Sequence, residues 1–275
     1  MPDAVLVSVG PLVRIDGFRG VVHAVFPSSV YIEAGAGPLL VLHRPEHGHT
    51  PTSLIVADRR SDGWGAAAGD AVSGRLGHLR VGRSLFDGRQ ARAWRPPSPG
   101  RRGVAAAGRA LPTIAAAATA WLEPGCRLLY TALFDGDAAA VDACVAPLVG
   151  NGPGLTPAGD DALVGLLATL HRVGPPAASA DPLRLLGASV STRLARTTTI
   201  GAHYLRLALR GHFGEHLINL VDALDADGVV DAASLARVLA TGASSGADAL
   251  AGVAAGLRLL CDISASPTHQ VKETA

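Results

Sequence analysis

Aromatic residues are scarce, at 4% of the 275-residue chain, and Lys272 is the only lysine. Few aromatics leave few platforms on which nucleic-acid bases stack. The positive charge is therefore almost all arginine, which suits forked grips on carboxylate or phosphate. A GC-rich coding sequence produces the same bias. Neither sign of charge is in excess, with 24 basic residues against 23 acidic ones and a net charge of +1. A non-specific nucleic-acid binder needs a basic face to displace phosphate counterions, so that class is excluded. Cysteine is rare as well. Cys126, Cys144 and Cys261 lie far apart without CxxC spacing, and their odd number reads as reduced thiols in a cytoplasmic protein. The start, Met1 to Gly10, carries Asp3 and no basic cluster, so it does not read as a secretory leader. No apolar run reaches the ~18–20 residues that a membrane span needs. The longest candidate, Ala110 to Leu122, contains Pro112. No membrane or nucleic-acid partner is expected.

What is abundant is core material. Hydrophobic residues make up 48% and charged ones 17%, which marks a globular chain. At this length folding hides roughly three quarters of the unfolded surface. From Val5 to about Arg95 the pattern is short and turn-punctuated, with β-prone runs at Val21–Val25, Ser29–Glu33, Leu39–His43, Leu54–Ala57 and Gly69–Ser73. We expect residues 1–95 to form an antiparallel sheet or small barrel. Residues 96–103, with their prolines and glycines, read as a linker. Residues 104–265 read as helical and 266–275 as a polar tail. Asp181-Pro182 predicts an N-cap and first turn of a helix running toward Arg196. Asp231 to Ala240 has helical spacing, with Gly242 as terminator. The fold class is α+β, a β-rich N-terminal domain followed by an α-helical C-terminal domain.

The most informative segment is Gly150-Asn151-Gly152-Pro153-Gly154-Leu155-Thr156-Pro157-Ala158-Gly159-Asp160-Asp161, which leads into an apolar run. Glycines let backbone approach a ligand, Thr156 offers a hydroxyl, and a helix start has free amides and a positive dipole end suited to an anion. A second copy lies 87 positions on, pairing Gly159 with Gly246, Asp161 with Asp248, Ala162 with Ala249, Leu163 with Leu250 and Gly165 with Gly252. Thr156 corresponds roughly to Ser244 and Ser245. Each unit presents hydroxyl, glycine backbone and one Asp. The plainer account makes Asp161 and Asp248 helix caps and the glycines packing aids.

Three motifs in order, GPGLTPAGDDALVG, TTTIGAHYLRLALRG and TGASSGADALAG, resemble the AllH-like family, that of an oxamate carbamoyltransferase subunit. The resemblance implies carbamoyl transfer between oxalurate and phosphate, giving oxamate and carbamoyl phosphate, in anaerobic allantoin (purine) breakdown alongside partner subunits. Such chemistry needs a phosphate cradle, cations for a carboxylate and donors for an oxyanion. We assign the candidate roles accordingly. Asp160 and Asp161 are candidate catalytic carboxyls. Gly152, Gly154, Thr156, Gly159, Arg193, Arg196, Ser244, Ser245, Gly246 and Asp248 are candidate anion or substrate contacts. The expected ligand is a small anion such as carbamoyl phosphate or oxamate. No cofactor is assigned and no metal site is expected. The alternative is a non-catalytic assembly or small-anion-binding subunit whose Ala/Gly faces dock partners.

Other signals are weaker. Ser191-Thr192-Arg193 resembles the phosphate motif of aspartate and ornithine carbamoyltransferases, but their His-Pro is absent, and both arginines also read as a solvated helix face. Gly242-Ala243-Ser244-Ser245-Gly246 fits an esterase elbow, yet a helix and not a strand precedes it. His43, His47 and His49, with Glu46, have the spacing of a zinc loop without a clear fourth ligand. Asp225-Ala226-Asp227-Gly228 puts Ala223 and Ser234 where a calcium loop needs acids. No Walker lysine or third dinucleotide glycine is present, so a nucleotide is not expected.

Overall fold

The computed structural model describes residues 2–35, 37–57, 63–99, 104, 108–174, 182–227 and 229–266. The chain divides into two compact units, Met1–Pro97 and Ser98–Ala275.

The first unit is a closed eight-stranded barrel with a short ninth strand. Its strands are β1 (Ala4–Val9), β2 (Phe18–Val25), β3 (Ser29–Glu33), β4 (Leu40–His43), β5 (Ser53–Val56), β6 (Ala71–Arg75), β7 (His78–Val81), β8 (Ser84–Asp87) and β9 (Arg92–Ala93). The order β5-β4-β3-β2-β6-β7-β8-β1 closes where β1 pairs back with β5, Leu6 opposite Val56. Of the two expected forms, the small barrel is the one adopted. It is not wholly antiparallel: β4–β5, β1–β8 and β1–β9 pair in parallel. Two of these pairs involve β1, which joins β8 and β9 more than seventy positions away and, with its antiparallel pairing to β5, removes the open edge. Alternation sets the faces. In β1, Ala4 and Leu6 point inward while Val5 and Val7 face solvent. Leu6, Val30, Ile32, Leu42, Leu54, Leu79 and Val81 fill the interior.

The second unit, among its described residues, has helices and no strands: α1 (Leu111–Ala117), α2 (Glu123–Asp135), α3 (Ala138–Val145), α4 (Ala158–Arg172), α5 (Pro182–Ser191), α6 (Thr199–Ala208), α7 (Glu215–Asp227), α8 (Ala232–Leu239) and α9 (Ser245–Ala265). Pro112 opens α1 rather than breaking a longer helix, since a first-turn amide has no partner to lose. Asp231 caps α8 and Gly242 follows it at positive φ. The helix expected to reach Arg196 ends at Ser191. There the hydroxyls of Ser191 and Thr192 bond back to the carbonyls of Ala188 and Ser189, and a 3-10 turn, Leu194–Arg196, follows. Asp181, its expected cap, lies outside the described residues, as do Gly228 and the tail from residue 267.

Helices α4 and α9 form the centre, each buried on nearly every side. They touch backbone to backbone. A methyl group on Gly165 would come within 1.9 Å of the Ala249 carbonyl oxygen, and one on Gly252 within 1.7 Å of that of Ala162. Ala162 and Ala249, like Gly165 and Gly252, are the equivalent positions of the repeat, so the contacts are reciprocal. Thr169 and Gly256, also 87 positions apart, touch each other. The two copies are thus packed as a local pseudo-two-fold pair, as in an isologous interface. Deeper along α4, Arg172 is buried and grips Asp222 of α7 with two nitrogens, Nη2 to Oδ2 at 2.5 Å. No helix among the described residues is long and apolar enough to cross a membrane.

Candidate functional site

The glycine lock between α4 and α9 sets their first turns side by side, and the candidate site is built on those turns. The loop 150–157 before α4 is held by three glycines at positive φ, Gly150, Gly152 and Gly154. At Gly152 a side chain would also strike the Ala158 amide at 2.8 Å. Asp160, 1% exposed, ties this loop down. Its Oδ1 accepts the Gly150 amide at 2.8 Å, and its Oδ2 accepts the Thr197 hydroxyl. The Thr198 hydroxyl donates to the Leu155 carbonyl and accepts the Gly201 amide at 2.9 Å, capping α6. The second of the three motifs therefore packs against the first. Burial pushes the Asp160 carboxyl up from its ordinary range, and the Thr197 and Gly150 donors pull it back.

Asp161 behaves differently. It is 9% exposed and pushed up to about 8, mainly by burial, while the hydroxyls of Ser245 and Thr156 favour its charged form. The charges of Asp248 and Asp160 push it further in the same direction. Thr156 Oγ1 lies 2.9 Å from Ser245 Oγ, so the two loops meet hydroxyl to hydroxyl. Asp248, on the first turn of α9, is 1% exposed, and its Oδ1 accepts the Thr119 hydroxyl at 2.6 Å. The Oδ2 atoms of both Asp161 and Asp248 are enclosed and meet no hydrogen-bond donor.

Neither aspartate caps its helix. The N-cap positions are Pro157 and Ser244, without side-chain caps. Several first-turn amides are already engaged. Gly159 donates to Asn151 and Gly246 to Thr241, while Asp160 and Asp161 both donate to Pro157. Gly159 and Gly246 instead admit close backbone, against the carbonyls of Leu148 and Val238.

The structure thus brings together Thr156, Asp160, Asp161, Ser245 and Asp248, with Gly152, Gly159 and Gly246 shaping the turns. Gly154 and Ser244 are exposed beside them. Arg193 is elsewhere engaged. Its Nη2 pairs with Asp142 at 2.5 Å and its Nη1 donates to the Ser189 carbonyl at 2.9 Å. Arg196 is exposed, but its carbonyl borders Gly150 at the base of the loop. Thr119 and Thr197 complete the cluster and were not singled out in sequence. The TTT run within the second motif was the available signal for Thr197. Nothing local points to Thr119.

In the barrel, His43 is buried and lowered to about 4 by that burial. His49 instead bonds Ser8 at 2.8 Å and stacks on Trp94. Among the described residues no three His, Cys, Asp or Glu side chains form a metal cluster. The cysteines Cys126, Cys144 and Cys261 are free.

Fold and cluster together define a barrel-plus-helix protein whose polar chemistry is concentrated where two repeated loop-helix units meet. Residues 148–257 match the family model described as oxamate carbamoyltransferase subunit AllH. The match lies wholly in the helical part and takes in both repeated loops, and over this stretch the resemblance to the AllH-like family is borne out. No solved structure matches the chain.

Proposed function

We propose that this chain works as a subunit of an oxamate carbamoyltransferase-like enzyme, with partner subunits, and that the paired loops bind its small anionic substrate. One observation carries the reading. Within the family-matched stretch, Thr156 and Asp161 of one unit converge with Ser245 and Asp248 of the other. In the transfer, a phosphate oxygen attacks the ureido carbonyl carbon of oxalurate. The bond from that carbon to the oxamate nitrogen breaks, and the nitrogen takes up a proton. Oxamate and carbamoyl phosphate result. The hydroxyls of Thr156 and Ser245 suit hydrogen bonding to phosphate or carboxylate oxygens, and the enclosed oxygens of Asp161 and Asp248 that meet no donor mark where the site lacks a partner. Asp160, with both oxygens engaged, fits a positioning role.

The test is thermal melting of the full chain with carbamoyl phosphate, phosphate and oxamate. Ligand at about a hundred times its dissociation constant adds ~2.7 kcal/mol. We expect a rise in the melting midpoint that Asp161→Ala and Asp248→Ala abolish. A second reading, docking without ligand binding, has its own support in Trp121 and Leu128, which are 54% and 63% exposed. It predicts no rise with any of the three anions.

A further inference from the structure

The proposed ligand is an anion, yet the side chains that converge on its site are carboxyls. Among the described residues no ion pair reaches Asp161 or Asp248, and Arg193 is paired with Asp142. First-turn amides that would offset negative charge are in part already bonded to loop carbonyls. A buried carboxyl is costly to ionise without a partner, and here two carry an enclosed, unpartnered oxygen each and lie close enough for the charge of one to oppose ionisation of the other. Asp160 is not part of the problem, because both its oxygens are satisfied. The unmet demand therefore has a definite chemistry. It is for positive charge beside the carboxyls of Asp161 and Asp248.

The atoms around that position are all hard oxygens: two carboxylates and the hydroxyls of Thr156, Ser245 and Thr119. Imidazole and thiolate, which select zinc and softer ions, are absent from this group. Two carboxylates are too few for an all-protein calcium cage. They suit a small divalent ion that keeps water on its remaining positions and accepts substrate oxygens there. We infer that Asp161 and Asp248 together hold a hard divalent cation of the Mg2+ or Mn2+ kind, one carboxylate from each repeat, and that this ion receives the anionic end of the ligand. The inference rests on the loop site proposed above and names what that site lacks. The pseudo-two-fold gives it a simple form: equivalent residues of the two units bind from opposite sides, and the ion sits between copies.

The test uses the full chain after chelator treatment, titrated with Mn2+ and followed by loss of the free-ion paramagnetic resonance signal. We expect saturable uptake of a single ion, displaced by Mg2+, and lost in Asp161→Asn and in Asp248→Asn while Glu46→Gln keeps it. The wild-type melting midpoint should rise with Mg2+ alone, which requires no variant to fold. No Mn2+ uptake by the wild type, or equal uptake by the two Asn variants, overturns the inference. Stabilisation by carbamoyl phosphate in chelator, with no ion bound, also overturns it and leaves the ligand reading intact. Ion uptake lost in the Asn variants, with no response to any anion, supports the ion site and overturns both its role toward a ligand and the ligand reading.

Discussion

Neighbouring aspartates in one sequence motif have separate jobs. Asp160 is spent on structure, holding the Gly150 amide and the Thr197 hydroxyl, whereas Asp161 keeps one oxygen open. Removing the Thr197 hydroxyl leaves a buried carboxylate oxygen without its donor, a loss of about 1–3 kcal/mol. Thr197→Val, which keeps the shape, should lower the unfolding free energy by that amount, read as a lower urea midpoint at unchanged slope. An unaltered midpoint would show that this bond does not anchor the loop. The pair Asp160-Asp161 stood out in sequence as a candidate site, but the different partners of its two members were not legible. Those partners lie 37 positions away for Thr197 and 89 positions from Thr156 to Ser245. Arg193 makes the same point, since its partner Asp142 is 51 positions upstream. A residue type suggests what a side chain can grip, not what already grips it.

Helices α4 and α9 were the most legible elements, because their glycines and aspartates repeat at one offset and their apolar residues keep helical period. That the two copies pack on each other was not legible, because periodicity alone does not say that Gly165 and Gly252 face each other's helix. Adding a methyl group at Gly252 forces it against the Ala162 carbonyl oxygen, and neither backbone has room to retreat. Overpacking of a well-filled core costs typically ~1–3 kcal/mol, and contact with backbone belongs at or above the top of that range. We expect Gly252→Ala to lower the unfolding midpoint strongly, as measured by denaturant titration followed by helical circular dichroism. Gly154→Ala, where a methyl group meets open space but φ is positive, should cost less, about 1 kcal/mol from backbone strain. Equal losses would show that the helix contact is looser than drawn. The barrel strands were only partly legible. β2 to β8 are mostly joined to sequence neighbours by short turns, although β7 and β8 were not singled out in sequence, whereas the joins of β1 to β5, β8 and β9 depend on closure, which no local window contains.

At the scale of the whole molecule, each unit has its own core and its own buried neutral histidine. His43 in the barrel and His203 in the helical unit are both lowered to about 4, chiefly by burial. His43 is raised somewhat by its bond to the Arg44 carbonyl and by Glu46, and lowered by His47 and His49, while His203 feels Arg206. A base whose folded value is depressed binds more protons when unfolded. Its stabilising contribution is therefore present above about 6.5 and is lost as pH falls toward 4. The tryptophans distinguish the units: Trp64 donates to the Phe26 carbonyl at 2.9 Å and Trp94 stacks on His49, both in the barrel, while Trp121 is already exposed. Tryptophan emission should thus report a barrel that weakens from pH 6.5 to 4. His43→Gln should flatten that dependence, and an unchanged slope would assign it to other groups.

The reciprocal glycine contacts have one more consequence. They work as a register pin, much as meshed teeth fix two racks. A slip of α9 along α4 by one turn, about 5.4 Å, would unseat both contacts at once and carry Asp248 away from Asp161. Helix register and assembly of the candidate site are then a single variable, so this cluster forms only when the two copies mesh in step.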